Sequence, residues 1–167
     1  MSTKVQVNSQ PLWRQQRAHI ARAYGLSCDV RRDDRTQRVD RPRSAGGGST
    51  GPHPGQLLRA SIGACLVMGC TTWAEHFGVS LDDVKLDILC SYDERGQLGL
   101  DDSVPVSWQR VELDLFITSS AEASVVEQVV DTVLRLSPML NALSPSIERI
   151  FKLHLSSPKS NPESKGK

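Results

Sequence analysis

The segment Gln56 to Phe77, QLLRASIGACLVMGCTTWAEHF, constrains this chain more than any other stretch. Pro52 and Pro54 precede it, no proline interrupts it, and Gly78 follows, which is how a helix starts and stops. Leu57, Leu58, Ile62, Ala64, Leu66, Val67, Met68, Trp73, Ala74 and Phe77 occupy most of its circumference. A helix that is apolar nearly all round is buried on several sides, so this one is expected to be the central helix of the fold. It carries Cys65 beside small residues. Cysteine usually behaves as a small buried hydrophobe, and the rest of the chain must decide whether Cys65 is core filler or a reactive thiol.

The flanking segments read mostly as strands. VKLDILC (84–90) and VELDLFI (111–117) alternate apolar and polar residues with period two, as does IERIFKLHL (147–155). Residues 121–136 carry apolar pairs at 125/126, 129/130 and 133/134, one face of an amphipathic helix, which SPMLNALSPS then breaks and restarts. Upstream, YGLSCDV and TQRVDRP flank RRDDR and suit a hairpin turning on Asp33 and Asp34. Residues 11–23 have weak helical character. SAGGGSTG (44–51) reads as a flexible connector, since it lacks the Lys-Ser/Thr of a phosphate loop. Strands outnumber helices and do not alternate with them, which predicts an α+β fold. The expected organisation is an N-terminal arm over 1–24, a domain over 25–155 and a disordered tail over 156–167, whose lysines and lack of apolar residues cannot repay ordering.

Charge divides the chain. Residues 1–59 hold 11 Lys/Arg against 4 Asp/Glu, and residues 60–167 hold 9 against 15. Such asymmetry fits a basic arm for nucleic acid, two halves that pack together, or a dimer that exchanges them. The basic stretch has no finger, helix-turn-helix or RNA-binding signature, so no nucleic acid is expected. With no uninterrupted run of 18 apolar residues, no membrane partner is expected either. MSTKVQVNSQ lacks the apolar stretch of a secretory signal, and the expected location is cytoplasmic. Cys28, Cys65, Cys70 and Cys90 are then free thiols, and without C-x-x-C or suitably spaced histidines no metal or other cofactor is expected.

The element order, together with GPHPGQLLRASIGACLVM, resembles the OsmC/Ohr family of osmotically induced and organic-hydroperoxide-resistance proteins. Gly51, Pro54, the Leu57-Leu58 pair, Gly63-Ala64 and Cys65 carry the match, and FGVSLDDVKLDI resembles the family's passage from helix to strand. The resemblance spans about residues 25–155. It implies an intertwined homodimer, with long buried helices wrapped by curved antiparallel sheets. It also implies hydroperoxide reduction by two cysteines, one in the central helix and one in a Cys-Pro at the end of the second long helix. The first corresponds to Cys65; the second position is here Ser137-Pro138.

Serine cannot form the disulfide that closes a two-cysteine cycle. A further departure is Gly55, where the hydroperoxide-resistance subgroup carries a glutamate that orients an arginine; Gly55 and Gln56 are the expected substrate-pocket residues. A free cysteine is only a few per cent thiolate at neutral pH, so a reactive Cys65 calls for a cation. The resemblance points to Arg31, Arg32 or Arg35 of the N-terminal strands, Arg32 and Arg35 being the catalytic candidates beside Cys65. Cys70 lies about 140° round the helix from Cys65 and cannot pair with it. Cys28 and Cys90, in predicted strands, are either core thiols or alternative resolving partners. The expected function is hydroperoxide reduction through one cysteine, resolved by an external thiol reductant. The alternative is a silent dimer that binds a small hydrophobic ligand.

Overall fold

The computed structural model describes residues 13–158 and divides into two units, one ending at Pro54 and one beginning at Gly55. In the N-terminal unit β1 (His19–Arg22), β2 (Cys28–Arg32) and β3 (Arg35–Val39) form an antiparallel meander in that order. The hairpin expected at Asp33-Asp34 is there, with Asp33 in the left-handed region at φ 52°, which Asp tolerates better than branched residues. The helix expected over 11–23 is not formed among the described residues. Instead 13–18 have no regular structure and 19–22 pair with β2, Ile20 opposite Val30. Too few apolar residues stand there to make a helical stripe, and pairing with β2 satisfies the backbone.

The expected connector is an organised loop. Asp40, itself buried, accepts from the backbone N–H groups of Arg41, Gly48 and Thr50 and from the Thr50 hydroxyl. Thr50's hydroxyl, then those backbone donors, hold the Asp40 carboxyl below its ordinary range. Two of the glycines allow backbone to meet backbone: a Cβ on Gly47 would sit 2.0 Å from the Arg41 carbonyl oxygen, and one on Gly51 2.1 Å from that of Arg38. Local composition suggested a linker because the acid that organises the loop stands at its edge.

In the second unit α1 (Pro54–Phe77) is followed by β4 (Asp83–Ser91), a single turn α2 (Glu94–Gln97), β5 (Arg110–Thr118), α3 (Ala123–Leu136), a single turn α4 (Pro138–Asn141) and β6 (Glu148–Ser156). The sheet order is β4-β5-β6. The antiparallel expectation holds for every strand pair but one: β5 and β6 run parallel, because α3 and α4 carry the chain back across the sheet. Val111, Leu113, Leu115 and Ile117 of the central strand are all buried. Val126, Val129, Val130 and Val133 of α3 and Ile62, Leu66, Cys70 and Ala74 of α1 join them in one core.

Gly69 lets α1 approach α3 closely, since a Cβ there would stand 3.0 Å from Val133 Cγ1. Within the chain α1 is buried along one stripe, not on several sides. On the opposite face Met68 is 68% exposed, and Leu58 and Phe77, at the two ends of the buried stripe, are exposed as well, because one sheet and one helix cannot cover the whole of α1. By length and composition α1 would also pass for a membrane span, although polar residues interrupt its apolar run. Its buried stripe packs on β5 and α3 as a core helix does. The tail beyond Pro158 lies outside the described residues, although Ser156, its expected first residue, ends β6.

Candidate active site

Cys65 stands beyond the edge of the buried stripe of α1, on the side from which α3 approaches. It is half-buried, and its Sγ lies 3.3 Å from the Oγ of Ser137, 72 residues away in sequence. Ser137 occupies the corner between α3 and α4 and is 4% exposed. Its N–H donates to the Val133 carbonyl at 2.9 Å, continuing the last turn of α3. Its Oγ accepts from the Leu140 N–H at 3.2 Å, so it caps α4, with Pro138 in the first helical position where a missing N–H costs nothing. Its carbonyl accepts from the backbone N–H and the Nδ2 of Asn141. Asn141 Nδ2 also reaches the carbonyls of Leu134 and Arg135, which closes the end of α3.

Of the residues singled out from sequence, the fold thus brings Cys65 and Ser137 together. Gly55 and Gln56 lie in the first turn of α1. Arg31, Arg32 and Arg35 lie in the N-terminal unit at the β2–β3 hairpin, all exposed, Arg32 facing Arg35 in register and within 3.6 Å of Asp33. All four cysteines are free thiols. Cys70, in the same helix as Cys65, is fully buried, and burial pushes its thiol up to about 11. Cys90 on β4 is pushed up by burial, with the nearby Arg59 pulling the other way. Among the described residues no group of three or more His, Cys, Asp or Glu could hold a metal ion. Leu140 and Asn141 were not singled out from sequence. Ser-Pro after a helical stripe is a capping signature that could have found the corner, though not its contact with Cys65.

This arrangement defines a class: mixed helix-and-sheet proteins whose long central helix offers a cysteine to a corner between two further helices. The chain belongs to the OsmC-like family, whose family model, described as OsmC-like protein, matches residues 46–150. No curated protein matches significantly. Among solved structures, an OsmC-like protein from Mycoplasma pneumoniae is 15% identical, with TM-score 0.70, over 85% of this chain and 99% of that one. An organic hydroperoxide resistance protein OsmC from Legionella pneumophila is 18% identical, with TM-score 0.60, over 87% and 99%. An organic hydroperoxide resistance protein from Elizabethkingia anophelis, with thiocyanate bound, is 14% identical, with TM-score 0.65, over 86% and 99%. At these identities the likeness is one of fold.

Proposed function

We propose that this chain reduces hydroperoxides through Cys65 alone and relies on an external thiol to complete the cycle. Membership of the OsmC-like family, and structural neighbours named for hydroperoxide resistance, support a peroxide-related role. The observation that carries the single-cysteine form is the 3.3 Å approach of Cys65 Sγ to Ser137 Oγ. A hydroxyl stands where a second thiol would close a disulfide. The Cys65 thiolate attacks the distal oxygen of ROOH, the O–O bond breaks, and the leaving alkoxide takes the remaining proton to give ROH and a cysteine sulfenate. After protonation, one external thiol R′SH condenses with the sulfenic acid, releasing water and leaving a mixed disulfide. A second R′SH frees Cys65 as R′SSR′ departs.

The exposed face of α1, with Met68 at its centre, supports a homodimer in which a second copy covers it. A reducing, cytoplasmic location suits a thiol-driven cycle. The test is hydroperoxide consumption by the purified protein with and without added small thiol. Turnover only with thiol, lost in Cys65→Ser, is expected; no consumption under either condition refutes the reading.

One observation favours the silent, ligand-binding alternative. An open groove of about 690 Å³ runs beside the C-terminal half of α1, where Val67, Val79, Leu81 and Val84 share the lining with Glu75, Asp82 and Asp83. Binding of a hydrophobic fluorescent probe that Val67→Glu abolishes, in a protein that leaves peroxide untouched, is what this alternative requires.

A further inference from the structure

Ser137 does more than occupy the place of a cysteine. Its N–H, its carbonyl and one lone pair of its hydroxyl are all committed within the α3–α4 corner, to Val133, Asn141 and Leu140. What remains is the hydroxyl hydrogen and one lone pair, and Cys65 Sγ lies 3.3 Å from that oxygen. Once Cys65 has lost its proton, sulfur can only accept, so the bond between the two side chains has one direction. The Leu140 N–H fixes the rotation of the Ser137 side chain, and burial keeps competing water away. A hydrogen bond to a charged partner in such a place is stronger than one between neutral groups.

Building on the reading of Cys65 as the peroxide-reducing thiol, we propose that Ser137 is a fixed hydrogen-bond donor to the reacting sulfur. It holds the thiolate in one rotamer, with a free lone pair toward the incoming O–O bond, and afterwards donates to the sulfenate while that species waits for the external thiol. In this chain the family's resolving position has thus become a positioning one. No atom is transferred to or from Ser137 in either step; its O–H bond stays intact throughout the cycle written above.

The experiment compares the full chain with Ser137→Ala, Ser137→Thr and Ser137→Gly. Each is followed by thermal unfolding, by the rate of Cys65 oxidation with cumene hydroperoxide, and by the rate of Cys65 alkylation with iodoacetamide. Removing a donor to a charged group is expected to slow oxidation about tenfold or more in Ser137→Ala. Threonine, which keeps both the cap and the donor, restores most of the rate. Glycine, a tolerated cap with neither a charge nor a proton to give, keeps the unfolding temperature closer to the parent's but not the rate. A purely structural Ser137 would instead give rates that follow stability, with Ser137→Gly close to Ser137→Thr, and that result overturns the proposal even if Ser137→Ala fails to fold. Equal alkylation and oxidation rates in the parent and Ser137→Ala overturn it as well. If the parent's Cys65 does not react with the hydroperoxide, the proposed function falls, and the alkylation rates alone then decide the role of Ser137.

Discussion

Cys65 and Cys70 stand five residues apart on one helix, and their surroundings oppose each other. Cys70 faces β5 and α3 among valines and leucines, without accessible surface, its thiol pushed up to about 11 by burial alone. Cys65, on another side of the same helix, is half-buried with a hydroxyl oxygen 3.3 Å from its sulfur. Both lie in the interior of the same helix, within one run of small and apolar residues. What separates an inert thiol from a candidate nucleophile is therefore rotation about the helix axis, which decides whether sulfur meets aliphatic carbon or an oxygen.

The largest effect should come from exchanging sulfur for oxygen at each place. Cys65→Ser is expected to reduce hydroperoxide consumption to background with little change in stability. Cys70→Ser should keep the activity and lose about 1–3 kcal/mol of stability by burying a hydroxyl among apolar side chains. Denaturant titration and a peroxide assay on both variants measure the pair, and equal losses of activity would erase the contrast.

Next comes the identity of the partner. After one equivalent of peroxide the parent should gain one oxygen at Cys65, whereas Ser137→Cys should lose two hydrogens as an internal disulfide forms, provided the two Cα atoms lie within about 7 Å. Intact-mass spectrometry distinguishes the two products. A disulfide from Cys65 to Cys28 or Cys90 in the parent would show that resolution had moved to another strand.

A smaller effect is the order of labelling. Iodoacetamide near pH 8 should modify Cys65 first and Cys70 last, since a thiol raised to about 11 is only about one part in a thousand thiolate there. Peptide mapping over time reads the order, and early labelling of Cys70 would mean that its core opens readily.

The smallest effect is alkaline. Because burial raises Cys70 in the folded state, the stability tied to its neutral form is intact below the ordinary thiol value of 9.0 and declines as pH climbs toward about 11. The decline should be about 1 kcal/mol per pH unit over that window. A flatter slope in Cys70→Ala would locate it, and an unchanged slope would assign the alkaline loss to other groups.

Much of the second unit was legible because period-two alternation in 84–90, 111–117 and 147–155, and the paired valines of α3, each record one buried face. The first unit was read less well. The short β1 borrows its order from Val30 and its neighbours on β2, and the loop after β3 from a single buried acid, so neither leaves a periodic trace. Cys65 stood out by its place in the apolar helix, and Ser137 only through family resemblance. Their contact was not readable from spacing, because it depends on how α3 crosses the sheet. The full apolar circumference of α1 was read correctly as composition but not as burial, since one chain covers only one stripe.

The parallel pairing of β5 with β6 bears on the order in which the molecule assembles. A hairpin such as β2–β3 can close as soon as its turn is made, but β6 can join β5 only after residues 119–147 have crossed over. The α3–α4 corner lies inside that crossing. A ribosome delivers α1 well before β6, so Cys65 emerges early and meets its hydroxyl partner late, through a contact spanning 72 residues. Newly made chains thus pass through an interval in which this thiol and the apolar helix around it are both unsheltered, and oxidants or misplaced partners reach them most easily then.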